Sequence, residues 1–206
     1  MSHYFTKNNN LKSNEYLINI LFKDKKYSFY VDYGVFSKKG LDFGTRTLLE
    51  SLNFEKIDGN VLDFGCGYGP IGIIVSDNSN AQIDMLDIND RAIKLTKKNI
   101  ELNQVKNINA FESDIFENVD KKYKFIITNP PIRVGKEILY KILFGAKEYL
   151  EKNGELWLVI NKNQGAKSLL NDLSKEYNVE VINKKKSFYI IRAINNWQFE
   201  ICLVTL

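Results

Sequence analysis

Short apolar runs alternate with segments of helical periodicity through the last three quarters of this chain. Runs typical of buried strands occur at residues 61–64, 81–86, 108–111, 125–128 and 155–160. Between them, apolar residues recur every three or four positions, which is the spacing of one face of a helix. This alternation predicts an α/β fold in which a mostly parallel sheet is covered by helices on both faces. Two last strands, near 179–182 and 188–194, are joined too tightly for a helical crossover, so we expect them to pair antiparallel.

The N-terminal residues show a strand pattern without the alternating helices. Residues 15–22 and 27–32 have the character of two strands joined by a short turn, which predicts a small β extension. Asp42 and Asp90 are each expected to cap a helix, and Asn153-Gly154 is expected to end the helix that begins near 138. We therefore divide the chain into an N-terminal β extension (1–40), a main domain (41–195) and a C-terminal tail without an assigned role (196–206).

Length and composition limit the classes of protein to consider. The chain has 206 residues, 44% of them hydrophobic, which is enough for one domain with a full core. No apolar run approaches the roughly 20 residues of a membrane span, and the N-terminus lacks the apolar core of a signal peptide. The single histidine, His3, and two cysteines, Cys66 and Cys202, supply neither a metal-ligand spacing nor a disulfide framework. We expect a cytoplasmic, reduced protein without a metal.

The first motif that carries chemistry follows the strand at 61–64. Asp63 lies at the end of this strand, and Gly65, Gly67 and Gly69 form the turn into a helix opened by Pro70. Glycines let a backbone approach a ligand closely, and ligands of open α/β sheets bind beyond the carboxyl ends of the strands. The Gly-x-Gly-x-Gly spacing differs from that of dinucleotide-binding folds and indicates a cradle for an adenosyl cofactor. A tight turn without a ligand is the alternative. Cys66, inside this loop, is expected to be a small buried residue and not a nucleophile.

Acidic residues follow the next two strands. Asp87 lies about 20 residues after the glycine loop, where a carboxylate accepts hydrogen bonds from both ribose hydroxyls of a bound nucleoside. Asp114 follows the third strand and is expected to accept the adenine amino group, with Ile88 and Ile115 covering the ring. Asp63 is expected to face the ammonium of a methionine moiety, directly or through water. Ordinary helix-capping and turn roles are the alternatives for Asp87 and Asp114.

The second motif, Asn129-Pro130-Pro131-Ile132, follows the fourth strand. The Asn129 side-chain carbonyl and the Pro130 backbone carbonyl can both accept hydrogen bonds from one NH₂ group, and the prolines stiffen the loop. Two such acceptors favour the rehybridised form of an aromatic amine and direct its lone pair at a methyl donor. A bare Pro-Pro turn is the alternative. With the glycine loop upstream, the motif predicts an N-methyltransferase that uses S-adenosylmethionine.

Together these motifs resemble the methyltransferase small domain family, which includes the 16S ribosomal RNA guanine-N2 methyltransferases of the C type. The resemblance implies a class I, Rossmann-like methyltransferase with a seven-stranded sheet, S-adenosylmethionine as cofactor and N2-methylguanine in 16S rRNA as product. It also implies a cofactor loop at Asp63, Gly65 and Gly67, a ribose contact at Asp87, an adenine contact at Asp114 and a catalytic loop at 129–132. The segments that carry the resemblance are 34–45, 61–72, 87–89 and 129–136.

The chain also departs from many amino-methyltransferases. An aromatic residue that stacks on the target base often follows the two prolines, whereas Ile132 stands here, so we expect stacking from elsewhere, such as Phe36. The chain resembles the single-domain members, without the duplicated N-terminal half of longer relatives. The net charge of +4 is compatible with an RNA partner, within the small subunit or an assembly intermediate. Candidate phosphate contacts are Lys38, Lys39, Arg133 and Lys136.

Other substrates remain open at this level. A protein glutamine also offers an NH₂ group, but the missing aromatic residue and the basic charge favour RNA. A DNA amino-methyltransferase would need a target-recognition domain, which is not visible. A non-catalytic RNA-binding assembly factor is the alternative from another class.

Overall fold

The computed structural model describes residues 14–32, 40–131 and 135–196, and the elements below belong to these ranges. A hairpin precedes a run of alternating strands and helices, and an antiparallel pair of strands ends the fold. The strands are β1 (Tyr16–Phe22), β2 (Lys25–Val31), β3 (Asn60–Phe64), β4 (Gln82–Asp87), β5 (Ile108–Glu112), β6 (Tyr123–Thr128), β7 (Leu150–Asn161), β8 (Asn178–Lys185) and β9 (Phe188–Ile194). The helices are α1 (Phe43–Ser51), α2 (Pro70–Asn78), α3 (Asp90–Asn103), α4 (Lys136–Tyr149) and α5 (Ala166–Leu173).

The main sheet has seven strands in the order β5-β4-β3-β6-β7-β9-β8. The first five of these positions are parallel, and β9 pairs antiparallel with both β7 and β8. The strand order reverses between β3 and β6, which places the carboxyl ends of these two strands side by side at the switch point of the sheet. Open α/β sheets bind their ligands at this point. The predicted parallel sheet and its antiparallel end are both confirmed.

Helices cover both faces of the sheet, and each face has its own apolar core. Helices α1, α2 and α3 enclose the core that contains Leu48, Ile73 and Ile83, whereas α4 and α5 enclose the core that contains Leu143 and Leu169. The central strands contribute to both cores and are buried along their length. This is why their sequences read as continuous apolar runs instead of alternating ones.

The hairpin β1-β2 is antiparallel, as predicted, and packs on α3 through a buried asparagine. Asn99 Oδ1 accepts a hydrogen bond from the Tyr30 amide at 2.7 Å, and Asn99 Nδ2 donates to the Tyr30 carbonyl at 3.0 Å. The same Nδ2 donates to the Tyr68 carbonyl at 2.8 Å. The Asn99 side chain therefore connects the hairpin to the loop that follows β3. The domain boundaries at residues 40 and 195 stay predictions.

Three helix boundaries differ from the predictions. The N-cap of α3 is Asn89, whose side chain accepts from the Arg91 amide, and Asp90 is the first helical residue. Helix α4 ends at Tyr149, and Asn153-Gly154 lies inside β7, where the strand register shifts and the Asn153 amide donates to Asn195 O at 3.0 Å. The sequence Asn153-Gly154 is typical of a helix end, but hydrogen bonding to the distant residue Asn195 makes it a β-bulge.

The apolar spacing of residues 166, 169, 170, 173 and 177 predicts a helix that reaches Tyr177, whereas α5 stops at Leu173. Tyr177 is nevertheless buried, and its hydroxyl donates to the Leu143 carbonyl at 2.9 Å. The apolar spacing marks the buried face correctly, although the helix itself is shorter. No helix in the described ranges is long and apolar enough to cross a membrane.

Candidate active site

A cavity of about 1060 Å³ opens at the carboxyl ends of the central strands. Its volume lies just above the range typical of small-molecule sites, about 300–1,000 Å³. Ten of the sequence-predicted residues line it: Gly65, Cys66, Gly67, Asp87, Ile88, Asp114, Ile115, Asn129, Pro130 and Pro131. Residues from four separate loops are thus brought to one space, as the chain order of the motifs predicts.

Hydrogen bonds to β4 and to α3 hold the glycine loop in place. The amides of Gly65 and Cys66 both donate to the Leu86 carbonyl at 2.9 Å, and the Thr96 hydroxyl donates to the Gly67 carbonyl at 2.9 Å. Gly65 and Gly67 have φ of 72° and 59°, and a Cβ at either position would meet no atom within 4 Å. Glycine suits both positions because the left-handed backbone conformation is strained for other residues. Without side chains at these positions, the space beside the loop remains part of the cavity.

Asp87 connects the glycine loop to the next helix. One carboxylate oxygen accepts from the Gly67 amide and the other from the Asn89 amide, each at 2.9 Å. Burial raises the pKa of Asp87, and the backbone amides of Asn89, Gly67 and Ile88 oppose this rise. A carboxylate has about four acceptor positions, so these bonds leave capacity for two hydroxyl donors from the cavity.

The loop after β5 forms the opposite wall. The Ser113 amide donates to the Asp87 carbonyl at 3.1 Å, which holds this loop against the end of β4. Ile115 has φ of 51°, a conformation that costs a β-branched residue energy and is common at ligand sites. Ile115 and Ile88 are half-buried and line the cavity, while the Asp114 side chain is exposed at its edge.

Asp63 and Gly69 do not line the cavity. Asp63 is buried beneath the loop, where its Oδ2 accepts from the Gly72 amide at 2.8 Å and holds the first turn of α2. Its Oδ1 is also buried and accepts no hydrogen bond within the described ranges. Gly69 is the N-cap of α2, and a Cβ there would lie 3.1 Å from Thr96 Cγ2. Both residues support the loop from behind, so direct cofactor contacts from them stay predictions.

Burial of the Asp63 carboxyl group makes the free energy of unfolding depend on pH. Burial, with a smaller contribution from the charge of Asp87, raises the pKa of Asp63 to about 7, whereas an unfolded aspartate titrates near pH 4. The folded protein then binds more protons than the unfolded chain between these values, so the free energy of unfolding falls as pH rises from about 4 to 7. At 1.36 kcal/mol per pH unit, this loss is on the order of 4 kcal/mol.

The Asp63→Asn variant keeps an oxygen for the Gly72 amide and removes the titration. Denaturant unfolding of both proteins without cofactor, from pH 4 to pH 7.5, should show the wild type losing stability relative to the variant. Parallel pH profiles would contradict this assignment.

Asn129 is oriented by two residues of the first helix. Its Nδ2 donates to Thr45 Oγ1 at 2.9 Å and lies 3.4 Å from both carboxylate oxygens of Asp42. The Thr45 hydroxyl donates its own proton to Asp42, so it can only accept from Asn129. A carboxylate also accepts only, and the side facing Asp42 must therefore be the amide NH₂. Asn129 Oδ1 is then turned away from both and accepts no hydrogen bond within the described ranges.

Neither Asp42 nor Thr45 was singled out from the sequence as a site residue. Asp42 was predicted as a helix cap, and it does accept from the amides of Gly44 and Thr45. Its second contact, with Asn129, spans 87 positions and has no local signature. The cavity is also lined by residues that the sequence motifs do not indicate, notably Phe43, Glu137, Ile138, Lys141, Asn161, Gln164 and Phe188.

The remaining predicted residues are outside the cavity or the described ranges. Lys136 is exposed at the start of α4, with Nζ 4.8 Å from the Tyr140 ring centroid, and does not line the cavity. Burial raises the pKa of Cys66, so its side chain is a thiol at neutral pH. Among the described residues no group of three or more His, Cys, Asp and Glu is placed to hold a metal ion. Predicted residues that lie outside the described ranges are Phe36, Lys38, Lys39, Ile132 and Arg133.

Comparison with known proteins agrees with this geometry. Residues 26–192 match the family model described as "Methyltransferase small domain". The chain belongs to the methyltransferase small domain family. Its class I, Rossmann-like fold is thereby confirmed, and S-adenosylmethionine is confirmed as the cofactor expected for a member of this family.

Relatives within the family differ in length. The chain is 43% identical over 195 residues to "Uncharacterized protein YbxB" of Bacillus subtilis, covering 93% of this chain and 97% of that protein. It is 35% identical over 164 residues to ribosomal RNA small subunit methyltransferase C of Haemophilus influenzae, covering 77% of this chain and 49% of that protein. The chain thus spans about half the length of the methyltransferase C relatives.

A solved structure shares the fold. The 16S rRNA N2 methyltransferase RsmC of T. thermophilus, in complex with AdoMet and guanosine, superposes with a TM-score of 0.77 at 24% identity. The match covers 89% of this chain and 51% of that one.

The residues of this family member fit an adenosyl cofactor. Gly65 and Gly67 leave open space beside the loop, Asp87 retains acceptor capacity, and Ile88 and Ile115 offer apolar surface. The Oδ1 of Asp63 is unpartnered within the described ranges but lies outside the cavity lining, so its contact with the ammonium of the cofactor stays a prediction.

Proposed function

We propose that this protein is an S-adenosylmethionine-dependent N-methyltransferase whose target is the exocyclic N2 amine of a guanine in 16S ribosomal RNA. The observation that carries the proposal is the orientation of Asn129. Its amide NH₂ is held by Thr45 and Asp42, and its carbonyl is left as an acceptor in a loop that lines the cavity. The family supports methyl transfer, and relatives named ribosomal RNA small subunit methyltransferase C support the choice of rRNA.

In the proposed site, Gly65, Gly67 and Asp87 bind the cofactor, with Asp87 accepting the ribose hydroxyls. Ile88 and Ile115 cover the adenine and Asp114 accepts its amino group. Bound S-adenosylmethionine supplies a sulfonium-activated methyl group, so the protein needs neither a metal nor a strong base to activate the donor.

The Asn129-Pro-Pro segment binds the acceptor in this proposal. Asn129 Oδ1 and the Pro130 carbonyl accept hydrogen bonds from the two hydrogens of the N2 amine. This arrangement favours the pyramidal amine and directs its lone pair along one line. On taking up the methyl group that the bound cofactor would supply, the amine nitrogen would become cationic, and the two acceptors would stabilise its protons until one leaves to water. Hydrogen bonds to a developing charge are worth more than those to the neutral amine.

Thr45 acts in this scheme as a positioning residue. In Thr45→Val the amide NH₂ of Asn129 loses its 2.9 Å partner, and the amide is free to turn its nitrogen toward the substrate. We expect kcat to fall about tenfold, the size of one hydrogen bond at 1.4 kcal/mol, with cofactor affinity unchanged. Thr45→Ser keeps the hydroxyl and should restore most of kcat. Equal losses in both variants, or a loss of cofactor affinity, would contradict the positioning role.

Transfer of a labelled methyl group tests the proposed reaction and substrate together. The protein is incubated with radiolabelled S-adenosylmethionine and, separately, 30S subunits, free 16S rRNA and total protein from a strain that lacks the gene. Nucleoside mass spectrometry then identifies the product. N2-methylguanosine in rRNA is the expected result. Label in protein would indicate the glutamine alternative, and label in neither, with cofactor binding intact, would exclude the proposed substrate.

A further inference from the structure

Two phenylalanine rings form part of the cavity wall beside Asn129. Phe43 opens α1 next to Asp42, and Phe188 opens β9; their ring centroids are 5.6 Å apart with planes inclined by 45°. Both side chains are half-buried and both line the cavity. The other aromatic side chains of the lining, Phe64 and Tyr68, are buried in the cores. Phe43 and Phe188 are therefore the aromatic surfaces in the described lining that remain accessible to a planar ligand.

Two lysines of the turn between β8 and β9 lie beside this aromatic pair, whereas Lys184 Nζ lies 5.1 Å from the Tyr189 ring centroid. Residues 184–186 form the end of β8 and its turn into β9, and all three side chains are exposed. Lys186 Nζ lies 4.3 Å and Lys185 Nζ 5.8 Å from the Phe43 ring centroid. Lys185 also pairs with Glu50 at 3.1 Å, an exposed contact that contributes little. The turn therefore presents a net positive charge at the edge of the aromatic surface.

A backbone contact joins this turn to a neighbouring wall of the cavity. The Lys162 amide donates to the Ser187 carbonyl at 2.6 Å, and the Asn161 side chain donates to the Ser187 hydroxyl at 2.9 Å. Asn161 itself lines the cavity. The lysine turn is thus fixed to the edge of the cavity by a paired strand and by two hydrogen bonds.

An aromatic surface with cations at its edge suits an unstacked RNA nucleotide, because the base can stack on the rings and the phosphates can contact the cations. A base stacked on an aromatic side chain gains about 1–3 kcal/mol, and the phosphates on either side need positive charge. The residue after the two prolines is Ile132, so this position supplies no aromatic ring. The pair formed by Phe43 and Phe188 lies near the same Asn129 and can take over that role.

We propose that Phe43 and Phe188 hold the target base of an RNA substrate, and that Lys185 and Lys186 bind its flanking phosphates. This inference rests on the proposed function for the identity of the base. It assigns an RNA-binding surface to the β8-β9 turn, and adds Phe43 and Phe188 to Phe36 as candidates for stacking.

The charge component is tested with the double variant Lys185→Gln, Lys186→Gln. Filter binding of labelled 16S rRNA, measured at several salt concentrations, should show affinity reduced at least tenfold at low salt. The slope of log affinity against log salt should become shallower by about 1.4, since each of the two lost phosphate contacts on a single strand removes about 0.7. The control is Lys97→Gln, an exposed lysine of α3 at the other end of the sheet, which should bind RNA as the wild type does.

The stacking component is tested with Phe188→Leu and Phe43→Leu. Each should raise the KM for rRNA about tenfold, within the range of one base–aromatic contact, while calorimetric affinity for S-adenosylmethionine is unchanged. Unchanged cofactor affinity also shows that the variants are folded. An unchanged KM for rRNA, or a rise in KM accompanied by an equal loss of cofactor affinity, would overturn the stacking role.

Failure of this inference and failure of the proposed function give different results. If the wild type methylates rRNA and the lysine variant binds RNA as the Lys97 control does, the surface assignment is wrong and the function stands. If the wild type binds RNA through the lysine turn but transfers no methyl group to it, the surface stands and the function is wrong. If the wild type binds no RNA, both are wrong.

Discussion

Replacing Asn129 with alanine is expected to reduce kcat about a thousandfold and to leave affinity for S-adenosylmethionine within about twofold of the wild type. The substitution removes the carbonyl that accepts from the substrate amine, an interaction that strengthens as the nitrogen gains charge. Loss of one preorganised group of this kind typically costs about 10²–10³ in rate. Single-turnover methyl transfer to rRNA measures the rate, and isothermal titration calorimetry measures the cofactor affinity.

Two further variants sharpen this experiment. Asn129→Asp retains an acceptor oxygen but loses the NH₂ that donates to Thr45, and places a carboxylate beside Asp42, so it should be as inactive as the alanine variant. Asn171→Ala, on the exposed surface of α5, is the matched control and should behave as the wild type. Equal losses of rate and cofactor affinity in Asn129→Ala would contradict the proposed role of this residue.

Replacing Asp87 with alanine should have the opposite profile. Cofactor affinity is expected to fall at least a hundredfold, because the two charge-assisted hydrogen bonds that we propose Asp87 accepts from the ribose would be lost at about 1.5–3 kcal/mol each. The amides of Gly67 and Asn89 also lose their acceptor, which loosens the glycine loop. At saturating cofactor, however, kcat should stay within about tenfold of the wild type, since Asp87 does not contact the acceptor amine in the proposed site.

The matched control for Asp87 is Asp90→Ala, three residues further on. Asp90 is half-exposed in the first turn of α3 and pairs with Lys94 at 3.1 Å, a surface contact of little energy. Titration of S-adenosylmethionine into each variant gives the comparison. An Asp87→Ala protein that binds the cofactor as tightly as Asp90→Ala would exclude a ribose contact at Asp87.

The two expected profiles reflect how the sheet separates the two tasks. Cofactor contacts are proposed on the loops after β3, β4 and β5, and acceptor contacts on the loop after β6 and on α1. The Thr128 hydroxyl donates to the Phe64 carbonyl at 2.9 Å and joins the ends of β6 and β3 where these two groups meet. Variants on either side should therefore affect one step and not the other.

Much of this site was predictable because its signals are local. The glycine loop, Asp87 and the Asn129-Pro-Pro segment each follow a strand that is recognisable as a continuous apolar run. Parallel strands place their carboxyl ends at one edge, so three separate motifs converge without any long-range information. Helix ends were less predictable: Asn153-Gly154 has the composition of a helix stop, but its pairing with Asn195 makes it a strand bulge.

What the sequence alone determined was the alternation of strands and helices, the family, and the loops that meet at the cavity, because these depend on periodicity and on short motifs. The tertiary structure alone decided which way Asn129 faces, because its partners Asp42 and Thr45 are 87 and 84 positions away and hydrogen bonding across that distance leaves no pattern in the chain. It also decided that Phe43 and Phe188 share a wall of the cavity and that Asp63 lies behind the loop and not in it. Periodicity reports which residues are buried, whereas the orientation of a side chain depends on neighbours that only folding brings within reach.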